Sequence, residues 1–110
     1  MTKMKYEDIK IPGEFTIING EKSENDITMF TLSTCQWCAK GKEWFKVNNY
    51  SYRFLDVDLL SLEDKRKLKR DLMNVFGMMV RYPFLVIDGK ISFAGFNIDK
   101  WKELLKIGVE

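Results

Sequence analysis

The chain carries two cysteines, and they stand as Cys35-Gln36-Trp37-Cys38. Before them, Asp26-Ile27-Thr28-Met29-Phe30-Thr31-Leu32 reads as a short apolar strand; after them, Ala39 to Asn48 reads as a helix. A Cys-x-x-Cys at a strand-to-helix junction constrains the fold strongly. One helical turn brings the two sulfurs together, which makes the pair a thiol–disulfide redox site. Cys35 then lies at a helix N-terminus, where unpaired N–H groups and the helix dipole favour a thiolate. The plain alternative is a structural disulfide. A bridge that closes so small a loop adds little stability through chain entropy, which ranks that reading lower.

Composition narrows the function classes. The 110 residues are one domain's worth. A hydrophobic share of 45% supplies a core, and a net charge of +2 is not the footprint of a nucleic-acid binder. No apolar run approaches the length of a membrane helix, and the charged start Met1 to Asp8 shows no signal peptide. A cytoplasmic protein is therefore expected, with neither nucleic acid nor membrane as partner. The count of histidines is 0, so one chain cannot gather four strong nitrogen and sulfur ligands for zinc. No metal site and no tightly bound cofactor are expected. The six methionines, Met78-Met79 included, read as core or loop filler.

Along the chain, residues 1–25 form an N-terminal extension and 26–110 the main domain. In the extension Pro12-Gly13 marks a turn and Phe15 to Ile18 a brief strand. It is either an appendage adding a strand at a sheet edge or a flexible arm, and Glu21 to Asp26 reads as a solvated loop. The first helix carries Trp37, Gly41, Trp44, Phe45 and Asn48 at helical spacing; Trp44 and Trp101 are expected in the core and Trp37 exposed. Lys40, Lys42 and Lys46 read as a solvated helix face, one of which can assist a thiolate. Tyr52 to Val57 is a second strand. Ser61 caps a helix whose apolar face is Leu62, Leu68, Leu72, Met73 and Val75 or Phe76, closed by Gly77. Pro83 to Ile87 is a strand buried on both faces, Asp88-Gly89 a hairpin turn, and Lys90 to Ala94 the returning strand. Ile98 to Ile107 is the last helix, with Ile98, Trp101, Leu104 and Leu105 inward. The expected order is β-α-β-α-β-β-α, an α/β fold with a mixed four-stranded sheet.

That order brings Cys35 to Cys38, Arg81-Tyr82-Pro83 and Gly95-Phe96-Asn97 together. These pieces, with the Asp-Gly hairpin, resemble a glutaredoxin of thioredoxin fold from about Asp26 to Lys106. The match departs from the common family pattern in places. Gln36-Trp37 stands where Pro-Tyr is usual, and Arg81-Tyr82-Pro83 where Thr-Val-Pro is common. Gly95-Phe96-Asn97-Ile98-Asp99 replaces a Gly-Gly turn. The Gly-Phe-x-x-Asp pattern is closer to the glutaredoxin-like redoxins that donate electrons to ribonucleotide reductase.

The resemblance implies a monomeric oxidoreductase for protein disulfides. Its reductant would be glutathione or another thiol, or a thioredoxin-reductase-like protein. It also implies roles: Cys35 attacks, Cys38 resolves, and Pro83 is cis. Gln36, Trp37, Tyr82, Pro83, Gly95, Phe96 and Asn97 would contact substrate or thiol, with Phe96 either a groove wall or a helix staple. The alternative within the family is an iron–sulfur scaffold, two chains sharing a cluster through Cys35 and external thiols. Cys38, as an internal competitor, weighs against it.

Overall fold

The computed structural model describes residues 4–109, with side chains to Leu105. Its elements are β1 (Thr16–Ile18), β2 (Ile27–Thr31), α1 (Gln36–Val47), β3 (Tyr52–Asp56), α2 (Leu62–Phe76), β4 (Phe84–Ile87), β5 (Ile91–Ala94) and α3 (Ile98–Val109). The sheet has five strands in the order β1-β3-β2-β4-β5. β2 and β3, joined through a helix, run parallel, and Met29 stands beside Phe54. β4 is antiparallel to β2 and β5 is antiparallel to β4. The fifth strand comes from the extension, since β1 pairs antiparallel with β3 at the edge. The sheet is therefore one strand wider than the four expected of the main domain.

Strand alternation splits the interior into two layers. In β4, Phe84 and Val86 face one side with Phe30, Leu55, Leu68 and Leu72. Leu85 and Ile87 face the other with Met29, Phe45, Trp101 and Leu105. So α2 covers the first face, and α1 with α3 covers the second. The N-terminal segment joins the first layer: Ile9 is buried there, and Phe15 packs edge-on against Phe30 with centroids 6.0 Å apart.

Three local features differ from what the sequence pattern predicts. In α2, Leu62 is 58% exposed and Met73 36%. At about 100° per residue, Leu62 lies far round the helix from Leu68, and Met73 a quarter-turn from Leu72. The loop before β2 is not wholly solvated either. Asn25 is buried because its amide donates to Asp88 Oδ2 at 3.0 Å, and the Asp26 N–H donates to Oδ1 at 2.8 Å. That carboxylate fastens the loop to the hairpin turn, where Asp88 and Gly89 both take positive φ, 56° and 66°. Finally, α1 begins at Gln36 rather than Ala39.

Candidate active site

The early start of α1 has a simple cause. Cys35 is itself the N-cap, with extended backbone, and its sulfur accepts the N–H of Cys38 at 3.2 Å. A sulfur thus takes the place that a serine or aspartate oxygen occupies in most N-caps. The same hydrogen bond directs an N–H at the atom that would carry negative charge. Both cysteines are free thiols; Cys35 is half-buried, and Cys38 is 0% exposed inside the first turn of the helix.

Their environments differ in consequence. The Cys38 thiol is pushed up to about 12, first by burial and next by its hydrogen bond with Cys35. A backbone hydrogen bond from Leu32 and the charge of Lys42 pull the other way. At neutral pH Cys38 is therefore a protonated, sheltered thiol, and Cys35 is the sulfur that solvent reaches.

The loop ahead of Cys35 is fastened across the sheet. Ser33 donates its N–H to Asp58 Oδ1 at 2.8 Å and its hydroxyl to Oδ2 at 2.5 Å. These two bonds hold the Asp58 carboxyl below its ordinary range. Nothing in the sequence singles out Asp58. Its partner lies across the parallel β2–β3 edge, and no local pattern announces it.

The remaining expected pieces converge on the cysteines. The Tyr82–Pro83 peptide is cis. The Pro83 carbonyl accepts the N–H of Gly95 at 2.8 Å, which ties the turn after β5 to the start of β4. Gly95 has φ 100°, a backbone state that favours glycine. Tyr82 is half-buried, and its hydroxyl is raised first by burial and then by the charge a Cys38 thiolate would carry. Trp37 is 53% exposed and its ring lies 5.7 Å from that of Phe96, which in turn meets buried Trp101 edge-on at 5.3 Å. The Lys40 ammonium sits 4.5 Å over the Trp37 ring. Phe96 thus spans from exposed Trp37, between the cysteines in sequence, to Trp101 of α3. Asn97 is occupied elsewhere, since its side-chain oxygen accepts the Lys100 N–H at 3.1 Å as the cap of α3. Gln36 is exposed at the start of α1.

Lys42 does not belong to a solvated face. Its Nζ lies 3.2 Å from Asp56 Oδ1 and its side chain is 24% exposed. The Phe54 ring and the Asp56 carboxylate, both on β3, hold it against the sheet.

The chain matches the family model described as glutaredoxin over residues 27–92. It is 36% identical over 77 residues to an uncharacterized glutaredoxin-like 8.6 kDa protein in the rubredoxin operon of Clostridium pasteurianum, covering 67% of this chain and 93% of that one. Among solved structures it is similar to a glutaredoxin from Methanosarcina mazei Go1, with TM-score 0.71 and 22% identity over 84% of this chain and 88% of that one. It is also similar to methanoredoxin from Methanosarcina acetivorans, with TM-score 0.65 and 26% identity over 78% and 88%.

Proposed function

The chain belongs to the glutaredoxin family, and on that premise we propose that it reduces protein disulfides by a two-thiol cycle. The observation that carries the reading is the contrast between its cysteines: Cys35 is reachable and capped on the helix, whereas Cys38 is fully buried one turn inward. In the cycle the Cys35 thiolate attacks one sulfur of a target disulfide. A Cys35–target bond forms, and the other target sulfur leaves as a thiolate that takes up a proton. Cys38 then loses its proton and attacks Cys35. The Cys35–Cys38 disulfide forms, and the second target sulfur departs reduced. Trp37 and Phe96 offer the apolar ground on which an extended target segment would rest beside Tyr82 and Pro83. Ribonucleotide reductase is the target class that the Gly-Phe-x-x-Asp turn suggests.

The test is trapping. Cys38→Ser should accumulate mixed disulfides with a protein substrate, seen as a mass increase reversed by dithiothreitol, while Cys35→Ser forms none. If both single variants reduced the substrate at the wild-type rate, the two-thiol cycle would be wrong.

Glutathione is a poor reductant in this reading. Phe96 fills the turn where a glutathione user carries a small or polar residue, and the Asn97 side chain is taken by its cap. Each missing charge-assisted contact forfeits about 1.5–3 kcal/mol. Titration with a non-reacting glutathione analogue, followed by amide NMR shifts, should show only weak binding. Micromolar affinity with shifts centred on Tyr82, Gly95 and Asn97 would make glutathione the reductant instead of a reductase protein.

A further inference from the structure

One helical turn beyond Cys38, Lys42 forms an ion pair that the two-thiol cycle does not call upon. Lys42 Nζ is 3.2 Å from Asp56 Oδ1, and the two side chains are 24% and 19% exposed. The hydroxyl of Thr31, a fully buried residue, donates to the same carboxylate oxygen at 2.6 Å. The ammonium also stands 3.8 Å over the Phe54 ring. Withdrawing such a pair from water costs desolvation, so the pair is weak evidence for stability in itself. Its placement says more. Lys42 follows Cys38 by one helical turn, and residues so spaced share a helix face. Among the described residues, the titratable and charged groups that act on Cys38 are Cys35 at the N-cap and Lys42 on α1, with Tyr82 ahead of β4; Asp56, at the end of β3, is the partner of Lys42. A Cys35 or Tyr82 anion would oppose a second negative charge, and Asp56 is engaged by Lys42 and Thr31. Lys42 is the cation of that set.

We propose that Lys42, fixed by Asp56 and Thr31, is a positioning residue that holds its charge against the Cys38 thiolate during the step that releases the target. The proposal rests on the two-thiol reading above. In that step Cys38 gives its proton to solvent and its sulfur bonds to Cys35. The Cys35–target bond breaks, and the target sulfur leaves with the electron pair and takes up a proton. The Cys38 sulfur is oxidised and the target sulfur reduced. The scarce species is the Cys38 thiolate, because burial keeps that thiol protonated. Lys42 and the Leu32 backbone are the groups that offset this. Removing the cation should slow the second step and leave the first untouched.

Stopped-flow reaction of the reduced protein with dithiobis(nitrobenzoate) separates the steps. The first thionitrobenzoate released reports attack by Cys35, and the second reports resolution by Cys38. Lys42→Met should slow the second phase about tenfold at neutral pH and move its pH profile up by about one unit, which is the same change read two ways. The first phase should stay within about twofold. Lys42→Arg should restore the second phase. The double variant Lys42→Met, Asp56→Asn leaves no lone buried charge and should remain slow, which separates electrostatics from damage to the fold and stands in should the single variant fail to fold. A wild-type protein releasing only one equivalent would sink the two-thiol reading itself. Two wild-type phases, with resolution in the Met variants as fast as wild type at every pH, or with Lys42→Arg as slow as Lys42→Met, would overturn the role of Lys42.

Discussion

Asp58 shows how one carboxylate fastens the loop two residues ahead of Cys35. Two hydrogen bonds from Ser33 favour its ionised form and hold its pKa down. A depressed carboxylate stabilises what it grips at pH values above its unfolded pKa of ~3.9, and loses that effect as pH falls through the lower folded value. The loop before Cys35 should therefore stay latched at pH 5 and above (about a unit over the unfolded value) and open only below the ordinary carboxylate range. Asp58→Asn should reduce protection of the Ser33 amide in hydrogen exchange severalfold at neutral pH. Unchanged protection, or a wild-type opening already half complete near pH 5, would show that the latch does not hold the loop. Residues of this kind explain what was hidden in the sequence. Cys35, Trp37 and Pro83 announce themselves through contiguous motifs. Asp58 and Asp56 act through Ser33 and Thr31 on the neighbouring parallel strand or just beyond it, and parallel pairing leaves no mark in local spacing.

Among the elements, α1 and α3 approach more closely than any periodicity reveals. Gly41 on α1 is buried, and a Cβ built on it would stand 2.8 Å from Cη2 of Trp101 and 3.5 Å from the Met29 sulfur. Trp101 is 0% exposed and stacks on Phe45 at 5.1 Å with the rings 9° from parallel, so it has nowhere to retreat. Alanine favours a helix over glycine by about 1 kcal/mol, but overpacking a rigid core costs about 1–3 kcal/mol. The clash should win. Gly41→Ala is expected to lower Tm by about 4 °C, the scale for a net loss near 1 kcal/mol in a domain of this size; a raised Tm would show that the indole can yield. Helix α2 teaches the complementary lesson. Its caps, Ser61 accepting from the Asp64 N–H at 3.1 Å and Gly77 at φ 65°, follow from residue type alone and were legible. Its buried face was only half legible, because Asp71 takes an inward place that an apolar pattern would not assign. It is 7% exposed and is paired with Lys67 at 2.9 Å.

For the whole molecule, the folded unit is larger than the 27–92 span the family model matches. Ile9 is 7% exposed, the Tyr6 ring lies 5.9 Å from Phe76, and β1 closes the β3 edge. The sequence leaves this segment open between arm and edge strand, since Ile9, Ile11 and Phe15 are scattered among charges without a period. A chain begun at Asp26 should unfold at a clearly lower urea midpoint. The loss should be on the order of 3 kcal/mol, given about 1.5–3 kcal/mol for each large apolar side chain uncovered. Its folded fraction should keep the wild-type rate of Cys35 attack. An unchanged midpoint would make the extension a mere passenger. A sheet ordered β1-β3-β2-β4-β5 also cannot complete its centre early. β2, buried at every residue, gains its first neighbour only after β3 has been made, and its second only after β4. At about 5–20 residues per second on the ribosome, an apolar strand with open edges waits for seconds inside a growing chain. The nascent protein is thus more prone to aggregation, and more in need of shelter, than the finished one.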